Sequence, residues 1–480
     1  MKKYKPIKFT RLATIASLIG AQCYAATAYA AALSDEAAQA LIQRVNELEQ
    51  QVKVLQRNRE VDQEVAETKP KDAPTIELGL NGLNVRSVDS NFTMIVHGYV
   101  QVDDRTYFGQ KTTPDTLLLR RVRPIVEGTV WKDFNYRLML DLASGTLGTV
   151  NPNNVNILDD AYVNAHFWPQ FQIQVGKYKS PVGLERLQST AELLFVETGF
   201  ATELTPNYDL GVEIHNDLFN TPINYAIGIF NGAADNASQD ADADQGKDVA
   251  GRLFAQPFLN TDVNPLKGLG FGAGGSVGTH TGGSLTTYKT PGQQTFFTYA
   301  NVAPVGTQYR LDPQAYYFWG PFGILGEYVL SSQKFKTTSG LGLPPLERFN
   351  NTAWQVEASY FLTGEENSFK ATSLKHVTPL HRFRDGEGGW GAFEVVARVQ
   401  QLSLDQRAFD RHGAAGTMSA TAGSAQKAAA WGVGLNWYLN ANLKLNLDYE
   451  STTYTGGTQL AGAASSAPEH VILARAQFSF

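Results

Sequence analysis

The sequence predicts an all-β protein, a transmembrane antiparallel β-barrel of about sixteen strands, preceded by a short coiled-coil helix. Three observations carry that prediction. The last ten residues, Val471 to Phe480, alternate polar Arg475, Gln477 and Ser479 with apolar Ile472, Ala474, Ala476, Phe478 and Phe480, and end on an aromatic ring. The same period of two recurs from Asn91 onward. At the other end, Lys2, Lys3, Lys5, Lys8 and Arg11 precede an apolar run from Leu12 to about Ala28, and Ala28-Tyr29-Ala30 fits a small-x-small cleavage site. That is the pattern of a secretory signal peptide, so the chain is exported.

Taken in order, residues 1–30 form the signal peptide, and the one cysteine, Cys23, lies inside it after Gln22, which argues against a lipoprotein anchor. The mature chain then has no cysteine, which excludes disulfide scaffolds, thiolate metal sites and cysteine catalysis. All 46 acids follow residue 30 while 5 of the 40 Lys and Arg precede it, so the mature chain carries a net charge of −11. An acidic chain of this kind excludes generic nucleic-acid binding, and any anion preference has to be built locally. Nothing after residue 30 approaches the eighteen or so consecutive apolar residues of a spanning helix.

Residues 31–57 read as a coiled-coil helix. Ala38, Leu41, Val45, Leu48, Val52 and Leu55 recur at spacings of 3, 4, 3, 4 and 3, a heptad seam that must find a partner. Residues 58–90, with charge and proline in Lys69-Pro-Lys-Asp-Ala-Pro74, read as a flexible linker.

From 91 to 480 the chain is strand after strand. Phe92, Met94, Val96, Val100 and Val102 alternate with Thr93, His97, Tyr99, Gln101 and Asp103, and Leu443, Leu445 and Leu447 alternate with Lys444, Asn446 and Asp448. A sandwich and a barrel share this pattern. Length separates them: about 390 residues without a composition break exceed one sandwich, and at roughly 24 residues per strand and connection they make about sixteen strands. Trp131-Lys-Asp133, Trp168-Pro169 and Asn440-Ala-Asn442 are tight turns beside aromatics, and residues 235–248, 279–294 and 414–426 are long outward loops. The terminal strand ending at Phe480 resembles the one that carries the assembly signal of outer-membrane barrels. The predicted location is the outer membrane of a Gram-negative bacterium, in contact with its lipid.

The stretch from Leu117 to Phe134, LLLRRVRPIVEGTVWKDF, resembles a signature of the phosphate-selective porins O and P. Leu158-Asp-Asp-Ala-Tyr162, the segment Val175 to Glu185, Leu210-Gly-Val212 and Gly434 to Asn440 resemble further family segments in the same order. The resemblance implies a sixteen-stranded homotrimeric channel for small anionic solutes such as phosphate or pyrophosphate. Two positions depart from it: Glu197-Thr198 stands where family members often carry Glu-Arg, and Tyr208 where they carry Arg before Asp-Leu-Gly. These departures weaken the carry-over of phosphate specificity and leave a general channel as the alternative.

Strand parity places Arg121 and Arg123 on the lumenal face and Arg120 on the lipid face, where it is tolerable only near an interface. Guanidinium groups suit oxyanions, so Arg121 and Arg123 are predicted to line the pore. Balancing carboxylates such as Glu127, Asp141 and Asp160 is an alternative role for them. Lys177 and Lys179 continue the lipid-side parity of Val175, so the chain is predicted to leave the strand there, with Pro181 and Gly183 making the break. Residues 180–208 are then an insertion folded into the lumen as a constriction. Predicted pore-lining residues are Arg121, Arg123, Lys177, Lys179 and Asp160. The Asp-rich run from Asp235 to Asp248 lacks ordered Ca²⁺ spacing, and no metal ligand set, cofactor motif or enzyme motif occurs. A barrel enzyme would need a Ser/His or Asp/His constellation that is not evident. A structural role, with the coiled coil tethering the membrane to the cell wall, can coexist with transport.

Overall fold

The computed structural model describes residues 35–68, 73–108, 114–143, 157–218, 221–242, 244–282, 287–338, 346–370, 372–384, 386, 388–410, 417–420, 424–457 and 467–480. The signal peptide and the charged residues 69–72 lie outside them. The chain divides into two units, residues 1–73 and 74–480.

The first unit holds helix α1 (Asp35–Thr68). It runs past Arg57, where the flexible linker was expected to begin, because residues 58–68 contain no Gly or Pro to stop a helix. Ion pairs of i,i+3 type, Arg44 with Glu47 at 3.4 Å and Arg57 with Glu60 at 3.2 Å, lie along it. Val45, Leu48, Val52 and Leu55 of the seam are 48, 49, 50 and 66% exposed. The apolar stripe is formed and uncovered.

The second unit opens with a hairpin, β1 (Thr75–Gly79) and β2 (Gly82–Arg86), so within the span 58–90 expected as a flexible linker, residues 58–68 are helix and 75–86 are hairpin. Asn81-Gly82 is the turn signal that marks it, and Gly82 is required: its φ is +82°, and a Cβ there would lie 2.2 Å from the Val96 carbonyl oxygen.

Sixteen strands close the barrel: β3 (Thr93–Phe108), β4 (Thr116–Val130), β5 (Phe134–Leu140), β6 (Leu158–Trp168), β7 (Phe171–Lys179), β8 (Tyr208–Asp217), β9 (Ile223–Phe230), β10 (Asp248–Ala255), β11 (Leu269–Thr281), β14 (Val302–Trp319), β15 (Phe322–Thr337), β16 (Leu346–Phe361), β19 (Ala392–Ser403), β20 (Lys427–Tyr438), β21 (Leu443–Thr455) and β22 (Glu469–Ser479). Each pairs antiparallel with the next, and β22 pairs with β3 from Tyr99↔Ser479 to Phe108↔His470. Below that register β3 pairs with β2, at Leu83↔Val96. Phe480 caps the seam by donating its N–H to the Gly98 carbonyl at 2.9 Å. Outward residues such as Val163, Val175, Ile227 and Leu253 are exposed and apolar, whereas inward Gln101, Asp103, Arg475 and Gln477 are buried and polar, the two faces a bilayer-spanning strand requires. The predicted turns sit at one end, with Trp131 and Lys132 at positive φ and Trp168 stacked on Phe171 at 4.8 Å, as in an aromatic girdle.

The lumen is filled by chain from both ends. Between β7 and β8, residues 180–207 fold inward, with helix α2 (Leu184–Leu187) and a 3₁₀ turn (Phe200–Leu204). From the outer mouth, the small hairpin β12 (Thr287–Lys289) and β13 (Thr295–Thr298) packs Tyr288, Phe296 and Phe297 against Phe200 and Leu204 and against Phe335, Phe349 and Leu402 of the wall. From the turn end, a second hairpin, β17 (Phe369–Lys370) and β18 (Ser373–Leu374), stacks Phe369 on Tyr316 at 4.7 Å, and Ser189 of the inserted loop donates its N–H to Ser373 Oγ at 3.1 Å. The predicted insertion is therefore a lumenal plug whose apolar residues pack on the inner wall.

Such a loop has backbone groups that water does not reach, and buried backbone polar groups need partners. The wall supplies them. Asp312 accepts from Gly183 N–H at 2.8 Å, Glu327 from Leu184 N–H at 2.6 Å and Glu185 N–H at 3.1 Å, and Asp448 from Val196 N–H at 2.6 Å. Lys444 donates to the Leu193 carbonyl at 2.9 Å, Asn436 to Leu194 at 3.0 Å and Gln477 to Ala191 at 3.1 Å. Gly199 lies so close to the wall that a Cβ would meet Gln355 Oε1 at 2.2 Å.

Candidate functional site

The loop leaves a polar cleft against the β4 and β7 wall, of about 170 Å³, lined by Arg120, Arg121, Arg123, Lys179 and Arg186 among the cations and by Glu185, Glu197 and Glu203 among the acids. Five cations face three carboxylates there, an excess of positive charge inside an acidic protein.

Strand β4 brings three of the arginines, and a β-bulge decides their aim. Gln101 of β3 pairs with Arg121 and the next residue, Val102, pairs with Leu119, so Arg120 is the extra residue. A bulge re-aims a side chain, and Arg120 turns inward: Nε donates to Glu197 Oε1 at 2.5 Å and Nη2 to Oε2 at 3.1 Å. The lipid-face position expected from uninterrupted parity is corrected by this one-residue shift. Arg121 lies inward as predicted, donating to Gln101 Oε1 at 2.9 Å and lying 3.7 Å from Glu197.

Arg123 is also inward, but its charge is balanced. Nε donates to Asp141 at 2.9 Å, and Nη2 lies 2.6 Å from Asp159, while Nη1 donates to the Tyr99 hydroxyl at 3.0 Å and to Thr190 Oγ1 at 2.9 Å. Asp159 reaches it through a register shift between β5 and β6, where Met139 pairs with Asp160 and Leu140 with Leu158. Asp160 pairs with Arg137 at 3.0 Å, and Arg137 also pairs with Glu127. The balancing role thus belongs to Arg123 and Arg137, and Asp160 lies outside the cleft.

The two lysines separate. Strand β7 continues through both and ends at Lys179, and the chain leaves it at Ser180-Pro181, where the insertion was expected to begin. Lys177 keeps the parity of Val175 and does not line the cleft: it is 1% exposed, donating to the Leu158 carbonyl and the Asp240 carboxylate. A neutralising carboxylate makes a lysine tolerable at that position. Lys179 reaches the cleft, donating to the Gln188 carbonyl at 2.7 Å with its ammonium 5.5 Å from the Tyr208 ring centre.

Sequence reasoning missed three arginines. Arg105 lies 2.9 Å from Glu197 and shares the inward parity of Gln101 and Asp103, a signal that was present. Arg475 binds Asp103 at 2.6 and 2.7 Å and lies 3.9 Å from Glu197. Arg186, in the insertion, donates to Thr205 Oγ1 at 3.3 Å and Asn236 Oδ1 at 2.6 Å. In the same loop, burial pushes the Glu203 carboxyl up to about 7, opposed by the Lys289 N–H and by Arg186. Burial also acts to raise Glu197, but Arg120 and Arg121 outweigh it and hold that carboxyl well below the usual range. The Asp235 loop is anchored inside at both ends, Asp235 and Asp248 being buried, 2.7 and 3.2 Å from Arg310, while Asp240 and Asp242 between them are exposed.

A closed sixteen-strand barrel with lipid-type residues outside, and a folded-in loop facing arginines inside, defines an outer-membrane channel. A model of the family described as phosphate-selective porin O and P matches residues 95–480, and the chain belongs to that family. It is a porin of the Gram-negative outer membrane. Among curated proteins it is similar to Porin O of Pseudomonas aeruginosa, 24% identical over 395 residues, 77% of this chain and 84% of that one. Solved structures to which it is similar include outer-membrane-expressed OmpT of Vibrio cholerae, 11% identical, TM-score 0.48, covering 81% of this chain and 98% of that one. Another is the anion-selective porin of Comamonas acidovorans, 13% identical, TM-score 0.46, covering 81% and 100%.

Proposed function

We propose that the protein conducts small anions passively, with phosphate-type oxyanions preferred, through the cleft between the inserted loop and the β4 and β7 wall. The observation that carries this reading is the pair Arg120 and Arg121, both aimed into the cleft, with one carboxylate, Glu197, between them. Guanidinium groups offer forked donors to phosphate, and a channel site must bind strongly enough to admit and weakly enough to release. No catalytic step is involved. Homotrimer formation is part of the proposal: the uncovered seam of α1 needs apolar partners, and two further copies of the same helix provide them. Anchorage to the cell wall through that helix is the competing use.

Single-channel recording in a KCl gradient tests the conduction reading. The reversal potential is expected to show anion preference, and added phosphate should block the chloride current. Cation preference without phosphate block would overturn it. Anion preference without block would support the general channel, which the carboxylate balance of Arg123 and Arg137 favours.

A further inference from the structure

The cage around Glu197 contains more positive charge than that residue can neutralise. Four guanidinium groups converge on its carboxylate: Arg120 at 2.5 Å, Arg105 at 2.9 Å, Arg121 at 3.7 Å and Arg475 at 3.9 Å. Arg475 has Asp103 as well, but among the described residues Arg105, Arg120 and Arg121 have no other carboxylate within 4.0 Å. Arg120 grips Glu197 with Nε on one oxygen and Nη2 on the other, the two-pronged geometry in which guanidinium groups bind phosphate.

The backbone at this point is fixed and the side chain is not a wall element. Val196 N–H is held by Asp448 at 2.6 Å, and the Glu197 carbonyl accepts from Arg398 at 3.0 Å. The carboxylate is therefore an anion on a short leash, with three rotatable side-chain bonds. Beside it the cleft of about 170 Å³ is lined by Thr190, Thr198 and Gln188, room for about five waters at roughly 30 Å³ each. Among the described residues, the side-chain amide nitrogen of Gln188, a residue 1% exposed, has no hydrogen-bond partner there. A donor without a partner next to a filled arginine cage is what a second anion would use.

We infer that Glu197 is a tethered competitor: its carboxylate fills the oxyanion seat of the arginine cage, and a passing oxyanion displaces it into the cleft and is expelled when it returns. The inference rests on the anion-channel reading above. Four arginines without the carboxylate would form a trap, whereas with it the net gain on binding is only the difference between two anions. The exchange favours a solute with at least two oxygen acceptors, because a halide cannot replace the two-pronged contact with Arg120. Glu197 is on this account the residue that sets both residence time and the preference for oxyanions over chloride.

The test is phosphate block of chloride current through single channels of the mature protein in planar bilayers, using Glu197→Gln and Glu197→Asp. Folded protein is identified by the mobility difference between unboiled and boiled samples in SDS gels. Glu197→Gln should bind phosphate about tenfold more tightly and release it more slowly, so that chloride current is half-blocked at correspondingly lower phosphate. Glu197→Asp keeps the charge but withdraws it by one methylene, and should tighten block by a smaller factor. Unchanged or weaker block in folded Glu197→Gln overturns the inference. If that variant does not fold, unchanged block in Glu197→Asp overturns it. Wild-type channels that neither prefer anions nor are blocked by phosphate refute the channel reading itself, a separate outcome.

Discussion

Replacing Arg121 with Gln isolates the electrostatics of the cleft from its architecture. Arg121 hydrogen-bonds Gln101 and lies 3.7 Å from Glu197, and removing its charge leaves Glu197 with Arg105, Arg120 and Arg475, so no buried carboxylate is orphaned. A unit charge about 7 Å from a permeating ion is worth roughly 2 kcal/mol at an effective dielectric of about 20. Screening over a Debye length of about 10 Å at 0.1 M salt leaves about 1 kcal/mol, or roughly fivefold in anion preference. Across a tenfold KCl gradient, perfect selectivity is worth about 59 mV, so a channel preferring anions about tenfold reverses near 40 mV and one preferring them about twofold near 15 mV. A shift of about that size is expected in Arg121→Gln, with phosphate block weakened in parallel and the gel mobility of folded protein retained. An unchanged reversal potential in correctly folded channels would mean that Arg121 does not see the permeating ion, and the cleft would not be the pathway.

Arg120→Ala should shift the reversal potential in the same direction as Arg121→Gln, because the bulge turns it to Glu197; no effect would restore the outward position. Arg123→Ala should instead cost assembly, since it strands Asp141 and Asp159 and breaking a buried pair costs about 3–5 kcal/mol; loss of the heat-modifiable band measures it. Anion preference in chloride should rise as pH falls from 8 to 6, because Glu203 has its carboxyl raised to about 7, is charged above that pH and neutral below it, and lines the cleft. Glu203→Gln should flatten that pH dependence. Deleting residues 34–68 should leave single-channel conductance nearly unchanged while weakening trimers on unboiled gels.

Much of the barrel was legible because its strands obey one local rule: alternation from Thr93 to Ser479 reports two environments, and the aromatic turns at Trp131 and Trp168 punctuate it. Arg121 and Arg123 were placed inward by the same rule. The rule fails where one residue is inserted. Nothing local marks Arg120 or Asp159 as a shift in register, because a bulge is decided by the pairing strand, and each of these side chains ends up beside a partner of opposite charge in the lumen. The hairpin at 75–86 had a turn signal in Asn81-Gly82 but lay in a stretch read by its charge and proline content. The Glu197 cage is illegible for a different reason. Its members come from β3, β4, β22 and the inserted loop, so only closure of the first strand on the last brings Arg105, Arg120 and Arg475 together.

The contrast between an acidic chain and a cationic cleft follows from how the loop is held. A loop inside a barrel brings buried N–H groups with it that need acceptors, and the wall from β14 to β21 answers several of them with carboxylates: Asp312, Glu327 and Asp448 each accept from the loop backbone. Those acids accept from the loop backbone and do not line the cleft. On the near side the loop faces β4 and β7, where Arg120, Arg121 and Lys179 are among five cations that line the cleft with three carboxylates of the loop itself. The folded-in loop thus has several of the wall's acids behind it as structural acceptors, alongside cations such as Arg398 and Lys444, while Arg120, Arg121 and Lys179 line the proposed passage in front of it. Net charge summed over the chain therefore carries no information about the ion the channel prefers, whereas the placement of each carboxylate relative to the loop does.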